Sequence, residues 1–316
     1  MSAELRFASV LIVLLIVSSC SKSEDSVRSV IGKVPPLSGP DRLDPNPAPV
    51  ENPKAACIPQ KDLLSSSSDA FAQNGIVGGE RIYQNEPDST RVVILLNTEG
   101  SICTAAPIAR DVLLTAAHCA QSKAGKYIVG FYTSISCESG FDAKNPDITA
   151  KVNELVVNES YIDSAPPSQF VGDLALVFLN KDIPANYPIY KLAIPENLTP
   201  KNNLFFFGYG AIGFSKKNSG VLRKTELFSE EYEVKRAARK VVINQQRGHG
   251  VCSGDSGGPG LVELDGELQI LGVNSYVSSV ETNDDACKGN ATLVLTDSYR
   301  DWIEVKMAAR NRFLRK

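Results

Sequence analysis

The chain has 316 residues, with 33 basic and 36 acidic side chains that give a formal net charge of −3. A hydrophobic share of 43% and a charged share of 22% are typical of a chain that buries a core, which excludes wholesale disorder. Nucleic-acid binding is not expected, because phosphate contacts need a basic surplus. The chain has two histidines and no His-Glu-x-x-His or Cys-x-x-Cys pattern, so a zinc site built on those motifs has no support and we predict no metal site.

The first segment, residues 1–19, predicts an export signal. Its apolar run, FASVLIVLLIV, spans eleven residues, about 16 Å as a helix and roughly half of a bilayer core. The run leads into Val17-Ser18-Ser19-Cys20, which resembles the lipobox of bacterial lipoproteins, in which the cysteine is lipidated. Ordinary signal cleavage near Ser19 or Cys20 is the alternative. We therefore expect an exported protein that is either secreted or held in a bacterial cell envelope. In the second case, the lipid on Cys20 would be the only membrane anchor that we predict.

Residues 20–75 have the composition of a tether. Eight of the 18 prolines fall between Pro35 and Pro59, and Ser65–Ser68 is a serine tract. Proline favours extended chain and lacks a backbone donor, and serine adds nothing to a core. A packed pro-segment is the alternative interpretation of this region.

Residues 76–316 predict an all-β domain. Short apolar runs rich in valine, isoleucine and phenylalanine are bounded by Gly, Pro, Asn or Ser, which favours strands of a barrel or sandwich. These runs are Arg91–Asn97, Tyr127–Tyr132, Asn153–Val157, Leu174–Leu179, Leu204–Tyr209, Lys240–Ile243, Leu268–Val273 and Thr292–Leu295. The strongest helical pattern runs from Ser298 to about Arg312, with Trp302, Ile303 and Met307 on one face.

A glycine-flanked serine dominates the candidate chemistry. Gly254-Asp255-Ser256-Gly257-Gly258 fits a strained turn in which backbone N–H groups approach a substrate oxygen closely. The pattern also matches the nucleophile elbow of α/β-hydrolases, in which the catalytic histidine follows the serine. No histidine follows Ser256, which excludes the elbow unless another residue replaces the histidine.

Two further motifs precede this serine. His118 lies in Thr-Ala-Ala-His-Cys, and Asp173 lies in Gly-Asp-Leu-Ala-Leu at the start of an apolar strand. Taken in the order His, Asp, Ser, the three motifs resemble the trypsin/chymotrypsin family of serine endopeptidases. The resemblance implies two packed six-stranded antiparallel β-barrels with a C-terminal α-helix, all within residues 76–316. It also implies proteins or peptides as substrates and no cofactor.

The resemblance assigns a role to each residue type. Ser256 would be the nucleophile and His118 the general base that takes its proton, since a serine hydroxyl is a weak nucleophile at neutral pH. Asp173 would fix the histidine tautomer and stabilise the imidazolium. The N–H groups of Gly254 and Ser256 would form the oxyanion hole, and Ser275 would support the aspartate.

The cysteines suit an exported, oxidised protein. By the same resemblance, Cys103–Cys119 closes the histidine loop and Cys252–Cys287 braces the serine loop. Three of the seven cysteines remain. If Cys20 carries lipid, Cys57 and Cys137 can pair, and that bond would hold the tether to the catalytic domain after cleavage.

Ile76-Val77-Gly78-Gly79 resembles the mature start of the family. There a freed ammonium pairs with the aspartate before the catalytic serine, here Asp255. An unpaired buried carboxylate typically costs about 3–5 kcal/mol, so the Gly75–Ile76 bond is predicted to be a switch. Trypsin-type zymogens carry Arg or Lys where this chain has Gly75, so we expect activation by another kind of protease, or none.

The specificity pocket is predicted from its position relative to Ser256. Gly250 occupies the base, where no charge would pair with an Arg or Lys side chain, and Val277 and Ala291 fall at the two walls. A branched wall residue shortens a pocket, so small aliphatic side chains are the predicted preference, as in elastases. Thr104 departs from the glycine that the family commonly has after this cysteine, which suggests an altered leaving-side subsite.

Two rival functions fit the same residues. One is a binding module whose Gly75–Ile76 bond is never cut, and the other is a surface lipoprotein that serves adhesion. His249 matches no family role and is predicted to be an exposed loop residue. A monomer is expected, and the sequence leaves a protein inhibitor open.

Overall fold

The computed structural model describes Cys57 and residues 76–211, 219–279 and 285–313, with 311–313 described by backbone alone. The predicted signal peptide, Cys20 and nearly all of the 20–75 tether lie outside these residues.

The first half of the described domain is a closed barrel of six antiparallel strands. After a short strand β1 (Glu80–Arg81), the barrel strands are β2 (Val93–Asn97), β3 (Ile102–Ala109), β4 (Val112–Thr115), β5 (Tyr127–Gly130), β6 (Thr149–Val157) and β7 (Ala175–Leu179). They close in the order β2-β3-β4-β7-β6-β5. Closure leaves no edge strand, and the barrel matches the predicted six-stranded form.

The second half is an eight-stranded antiparallel sheet. Its strands are β1, β8 (Leu204–Gly208), β9 (Arg223–Leu227), β10 (Tyr232–Lys235), β11 (Lys240–Asn244), β12 (Pro259–Leu264), β13 (Glu267–Ser278) and β14 (Asn290–Leu295). Their order is β1-β9-β8-β12-β13-β14-β11-β10. The predicted all-β, chymotrypsin-like architecture is confirmed, but this half is an eight-stranded half-barrel rather than a closed barrel of six strands, because β1 and β10 extend its two ends.

Apolar burial explains why these segments form strands. All five residues of β7 are buried, as are all four of β4, which pairs with it. Strands buried on both faces read as continuous apolar runs rather than alternating ones. A second apolar cluster, including Phe206, Val241, Val262 and Leu293, fills the second half.

All eight predicted runs overlap a strand of the structure. The C-terminal helix is also confirmed as α1 (Arg300–Phe313), with Ile303 2% exposed and Trp302 and Met307 packed against the core. Arg310 lies over the Phe178 ring at 4.3 Å, so its side chain packs against the first barrel. In the part of the chain that the structure describes, no helix has the length and apolar character needed to cross a bilayer.

Candidate active site

His118 lies in a short 3₁₀ turn, Ala117–Cys119, directly after β4. Its ring nitrogen Nδ1 is 2.8 Å from Oδ2 of Asp173, and its backbone N–H donates to Oδ1 of the same carboxylate at 2.9 Å. An ionised carboxylate only accepts, so Nδ1 carries the proton in this contact. Nε2 is therefore the nitrogen that can accept a proton, as a general base must.

Asp173 is fully buried between a tight turn and the start of β7. Gly172 precedes it with φ +61°, and a side chain there would overlap Ser160 and Asn158. A glycine is needed for that conformation and that contact. The turn thus places the carboxylate under the His118 ring.

Ser275 is the third partner of this carboxylate, donating from Oγ to Oδ2 of Asp173 at 2.5 Å. The β13–β14 pairing shifts between Asn274 and Tyr276, which leaves Ser275 at an irregularity of the ladder. Bulges of this kind re-aim a side chain. The bulge explains how a strand of the second half reaches an aspartate of the first, as predicted for Ser275.

Ser256 lies half-buried in the loop before β12. Gly254 and Gly257 hold the loop with φ +98° and φ +80°. Among the described residues, the backbone N–H groups of Gly254 and Ser256 donate to no other group. Two free donors beside a candidate nucleophile are what an oxyanion requires.

The serine loop is joined to the histidine side by backbone contacts. Ser256 O accepts from Thr104 N at 2.9 Å and lies 3.7 Å from Cys119 Sγ, one residue beyond His118. Among the described contacts, no hydrogen bond joins Ser256 Oγ to the His118 ring. Such bonds are often long without substrate and shorten in the reacting complex.

Asp255 is completely buried beneath the serine loop. Burial raises its pKa to about 7, whereas N–H donors and the Arg223 charge oppose that rise. The donors are Gly210 N at 2.7 Å and Cys252 N at 2.9 Å. The two hydrogen bonds and the Arg223 charge thus do not fully offset the cost of burying the ionised carboxylate. A nearby cation would stabilise its charged form.

Ile76 is buried in the apolar cluster of the second half. Val77 pairs with Gly250, whose N–H donates to Val77 O at 2.9 Å. Gly78 has φ +71° and packs so tightly against Gly248 and His249 that a side chain would overlap them. The predicted mature start therefore docks beside the base of the pocket. His249 is exposed in its loop, as predicted.

All three predicted disulfides form: Cys57–Cys137, Cys103–Cys119 and Cys252–Cys287. The first closes a span of 80 residues, worth about 4–5 kcal/mol in the chain-entropy model. The sulfurs of Cys103 and Cys119 lie near a His118 nitrogen, but both are bonded to each other and are not thiolate ligands.

A cavity of about 150 Å³ opens beside Ser256. Its lining includes Val251, Ser275, Tyr276 and Val277. Val277, the predicted wall residue, is thus one of the residues that line this cavity.

The other two predicted pocket residues, Gly250 and Ala291, are buried and are not among the lining residues. Ala291 is the cross-strand partner of Val277 but packs into the apolar cluster of the second half. A larger groove of about 780 Å³ lies over β8 and β9 and includes neither His118 nor Ser256.

Gln245, which sequence reasoning missed, lies behind the cavity lining and is hydrogen-bonded to the lining residue Val251. Its side chain is fully buried and fills the space where a side chain on Gly250 would project. Nε2 donates to the carbonyls of Val251 and Cys287 at 3.2 and 3.0 Å, and Oε1 accepts from Val251 N at 2.6 Å. A fully buried carboxamide with satisfied hydrogen bonds thus supports the cavity lining from behind and occupies the space beside Gly250. No sequence motif marks this glutamine.

Comparison with known proteins agrees with this geometry, since the trypsin family model matches residues 76–303. The chain belongs to the trypsin family. Members are serine endopeptidases, so the chain is a hydrolase whose substrates are proteins or peptides.

Three animal proteins illustrate the similarity. Rat chymotrypsin-like elastase family member 1 is 24% identical over 76% of this chain and 93% of its own length. Mouse neutrophil elastase is 23% identical over 56% of this chain and 64% of its own length. CLIP domain-containing serine protease B10 of Anopheles gambiae is 29% identical over 60% of this chain and 57% of its own length. These relatives give no support for a bacterial origin.

Proposed function

We propose that this trypsin-family protein hydrolyses peptide bonds through an acyl-enzyme on Ser256. The observation that carries the proposal is the buried Asp173 carboxylate, which receives hydrogen bonds from both the ring and the backbone of His118. That contact leaves Nε2 as the ring nitrogen that can accept the proton of Ser256.

In the first step, Ser256 Oγ attacks the scissile carbonyl carbon while His118 Nε2 takes its proton. The carbonyl oxygen becomes negative and is bound by the N–H groups of Gly254 and Ser256, which have no other described acceptor. His118 then gives the proton to the leaving amine, and Asp173 stabilises the imidazolium throughout. Water repeats the sequence to release the acyl group.

The pocket favours small aliphatic side chains before the scissile bond. Val277 supplies a branched wall, and the described residues that line the cavity include no carboxylate to pair with an Arg or Lys side chain. A pocket of this kind discriminates by only about 1–3 kcal/mol per methylene, so the preference is broad. A peptide panel in which Ala and Val are cleaved faster than Arg and Lys is the expected result, and a dominant Arg or Lys preference would contradict it.

Export completes the proposal, with residues 1–19 as the signal peptide and Cys20 either lipidated or left unmodified after ordinary signal cleavage. Three disulfides support an oxidising compartment. A cut after Gly75 would free the Ile76 ammonium to pair with Asp255.

The decisive experiment is labelling by a fluorophosphonate probe. Protein cut at Gly75–Ile76 and uncut protein are compared with Ser256→Ala in both states. We expect labelling of the cut form that Ser256→Ala abolishes. Failure of correctly cut, folded protein to label would favour a binding or adhesive role instead.

A further inference from the structure

Thr104 departs from the family's common glycine, and the structure shows that its side chain is not in a substrate subsite. The residue is fully buried in β3, where the first barrel meets the serine loop. The sequence-based expectation of an altered leaving-side subsite is therefore replaced by an internal role.

Every polar atom of Thr104 is engaged. Its hydroxyl donates to Gly254 O at 3.0 Å and accepts from Tyr209 N at 3.2 Å. Its backbone N–H donates to Ser256 O at 2.9 Å, and its carbonyl accepts from Thr115 Oγ1 at 3.0 Å. One side chain thus connects β3, the residue after β8 and the serine loop.

The hydroxyl acts on the segment that carries the oxyanion donors. Gly254 O belongs to the peptide between Gly254 and Asp255, so fixing it restrains the backbone on both sides, from Gly254 N to Ser256 N. Glycine at φ +98° has wide backbone freedom, and a hydrogen bond is the means of holding it in one conformation. Oxyanion donors are effective when they are preorganised.

The same strand also anchors the histidine. Cys103 precedes Thr104 and is bonded to Cys119, which follows His118. Two adjacent residues of β3 therefore hold both the general base and the nucleophile loop, one by a disulfide and one by hydrogen bonds.

From this geometry we propose that the Thr104 hydroxyl is a positioning group that sets the oxyanion donors of Gly254 and Ser256 against His118. The proposal rests on the proposed proteolytic function and adds a residue to it. Thr104 acts through Gly254 and does not touch the substrate.

The test compares Thr104→Val with Thr104→Ser, and every variant is cut at Gly75–Ile76 before it is assayed. Valine keeps the shape but removes the hydroxyl, whereas serine restores it. Thr296→Val is the matched control, because Thr296 is also fully buried and its hydroxyl bonds two backbone carbonyls at 3.0 Å, those of Ile270 and Leu271.

For Thr104→Val we expect kcat on the best peptide to fall about 10- to 100-fold, with KM within about threefold. The reason is that the N–H groups of Gly254 and Ser256 stabilise the negative oxygen of the transition state more than the bound substrate. Fluorophosphonate labelling and affinity for a peptide boronic acid should fall in parallel. Thr104→Ser should recover most of the loss, and Thr296→Val should lower stability without changing kcat.

Three outcomes would overturn the inference while leaving the proteolytic function intact. Thr104→Val could fold and retain kcat within twofold of the unsubstituted protein. Thr104→Ser could fail to recover activity, or Thr296→Val could lose as much kcat as Thr104→Val. An inert unsubstituted protein would instead refute the proposed function itself.

Discussion

The two halves of the domain contribute to the site in different ways. The first barrel supplies His118 and Asp173 from an ordinary 3₁₀ turn and a tight turn beside closed strands. The second half supplies Ser256 from a loop held by positive-φ glycines over the completely buried Asp255. The Asp173 turn also depends on a positive-φ glycine, Gly172, so the feature that sets the nucleophile side apart is a buried carboxyl with a raised pKa. Control of activity is expected to reside in the second half.

The largest effect is expected on the base side. Asp173→Asn should lower kcat by about 10⁴, because the amide can no longer hold His118 in the required tautomer. The measurement is steady-state hydrolysis of a peptide substrate, with circular dichroism to verify folding.

Ser275→Ala is the matched control for that substitution, since it removes a single hydrogen bond to the same carboxylate. A loss of about tenfold or less is expected from it. Equal losses in the two variants would contradict the assigned role of the aspartate.

The buried carboxyl of the second half predicts a pH dependence in the uncut chain. The pKa of Asp255 is about 7 in the folded state and near 4 when unfolded, so the folded state binds more protons between these values. The contribution of this group to the free energy of unfolding is greatest below about pH 4. It decreases as the pH rises and is lost above about pH 7. The loss amounts to about 4 kcal/mol.

Urea unfolding of the uncut chain between pH 4 and pH 8 measures this effect. Asp255→Asn removes the titrating group, so the difference between the two curves isolates its contribution from those of other carboxyls. Parallel curves would show that Asp255 is not the group responsible. A cut at Gly75–Ile76 should lower the pKa and reduce the difference, if the freed ammonium pairs with the carboxylate.

The smallest expected effect comes from alanine substitutions at two glycines, which distinguish the cost of a positive φ angle from the cost of close packing. Gly257 and Gly266 have almost equal φ angles, +80° and +77°, but a side chain on Gly257 would overlap Thr115 Oγ1, whereas nothing lies near Gly266. Gly266→Ala should cost about 1–2 kcal/mol for its backbone conformation. Gly257→Ala should cost a further 1–3 kcal/mol for overpacking.

Thermal unfolding measures both costs, and peptide hydrolysis is expected to fall only in Gly257→Ala. Equal stability changes would mean that the serine loop yields to the added methyl group, contrary to the rigid loop inferred above.

Sequence patterns predicted strands where β-branched and aromatic residues cluster, as in Leu204–Gly208. They missed the short strand β1, the apolar strands β3 and β4, and β10. They also missed Arg223–Leu227, whose residues are mostly polar, and Pro259–Leu264, which begins with proline and glycine. Both are strands because neighbours across the sheet pair with them. Single-segment composition does not carry that information.

The residues of the candidate site also divide into those that local sequence motifs predict and those that depend on tertiary packing. Short motifs predicted the residues at the centre of the site because the chemistry requires particular residue types near particular glycines. The contacts of Thr104 with Gly254 and of Gln245 with Val251 depend on how distant segments pack. Neither contact leaves a local pattern in the sequence.

The buried glutamine behind the cavity lining restricts which residues position 250 can hold. An aspartate at Gly250 would collide with the Gln245 carboxamide, and the backbone there has φ +153°, which disfavours a side chain. Removing the glutamine alone would leave two carbonyls and one N–H without their present partners. Position 250 can therefore accept an acidic side chain only if Gln245 is replaced as well, because either substitution alone disrupts the present packing or hydrogen bonding.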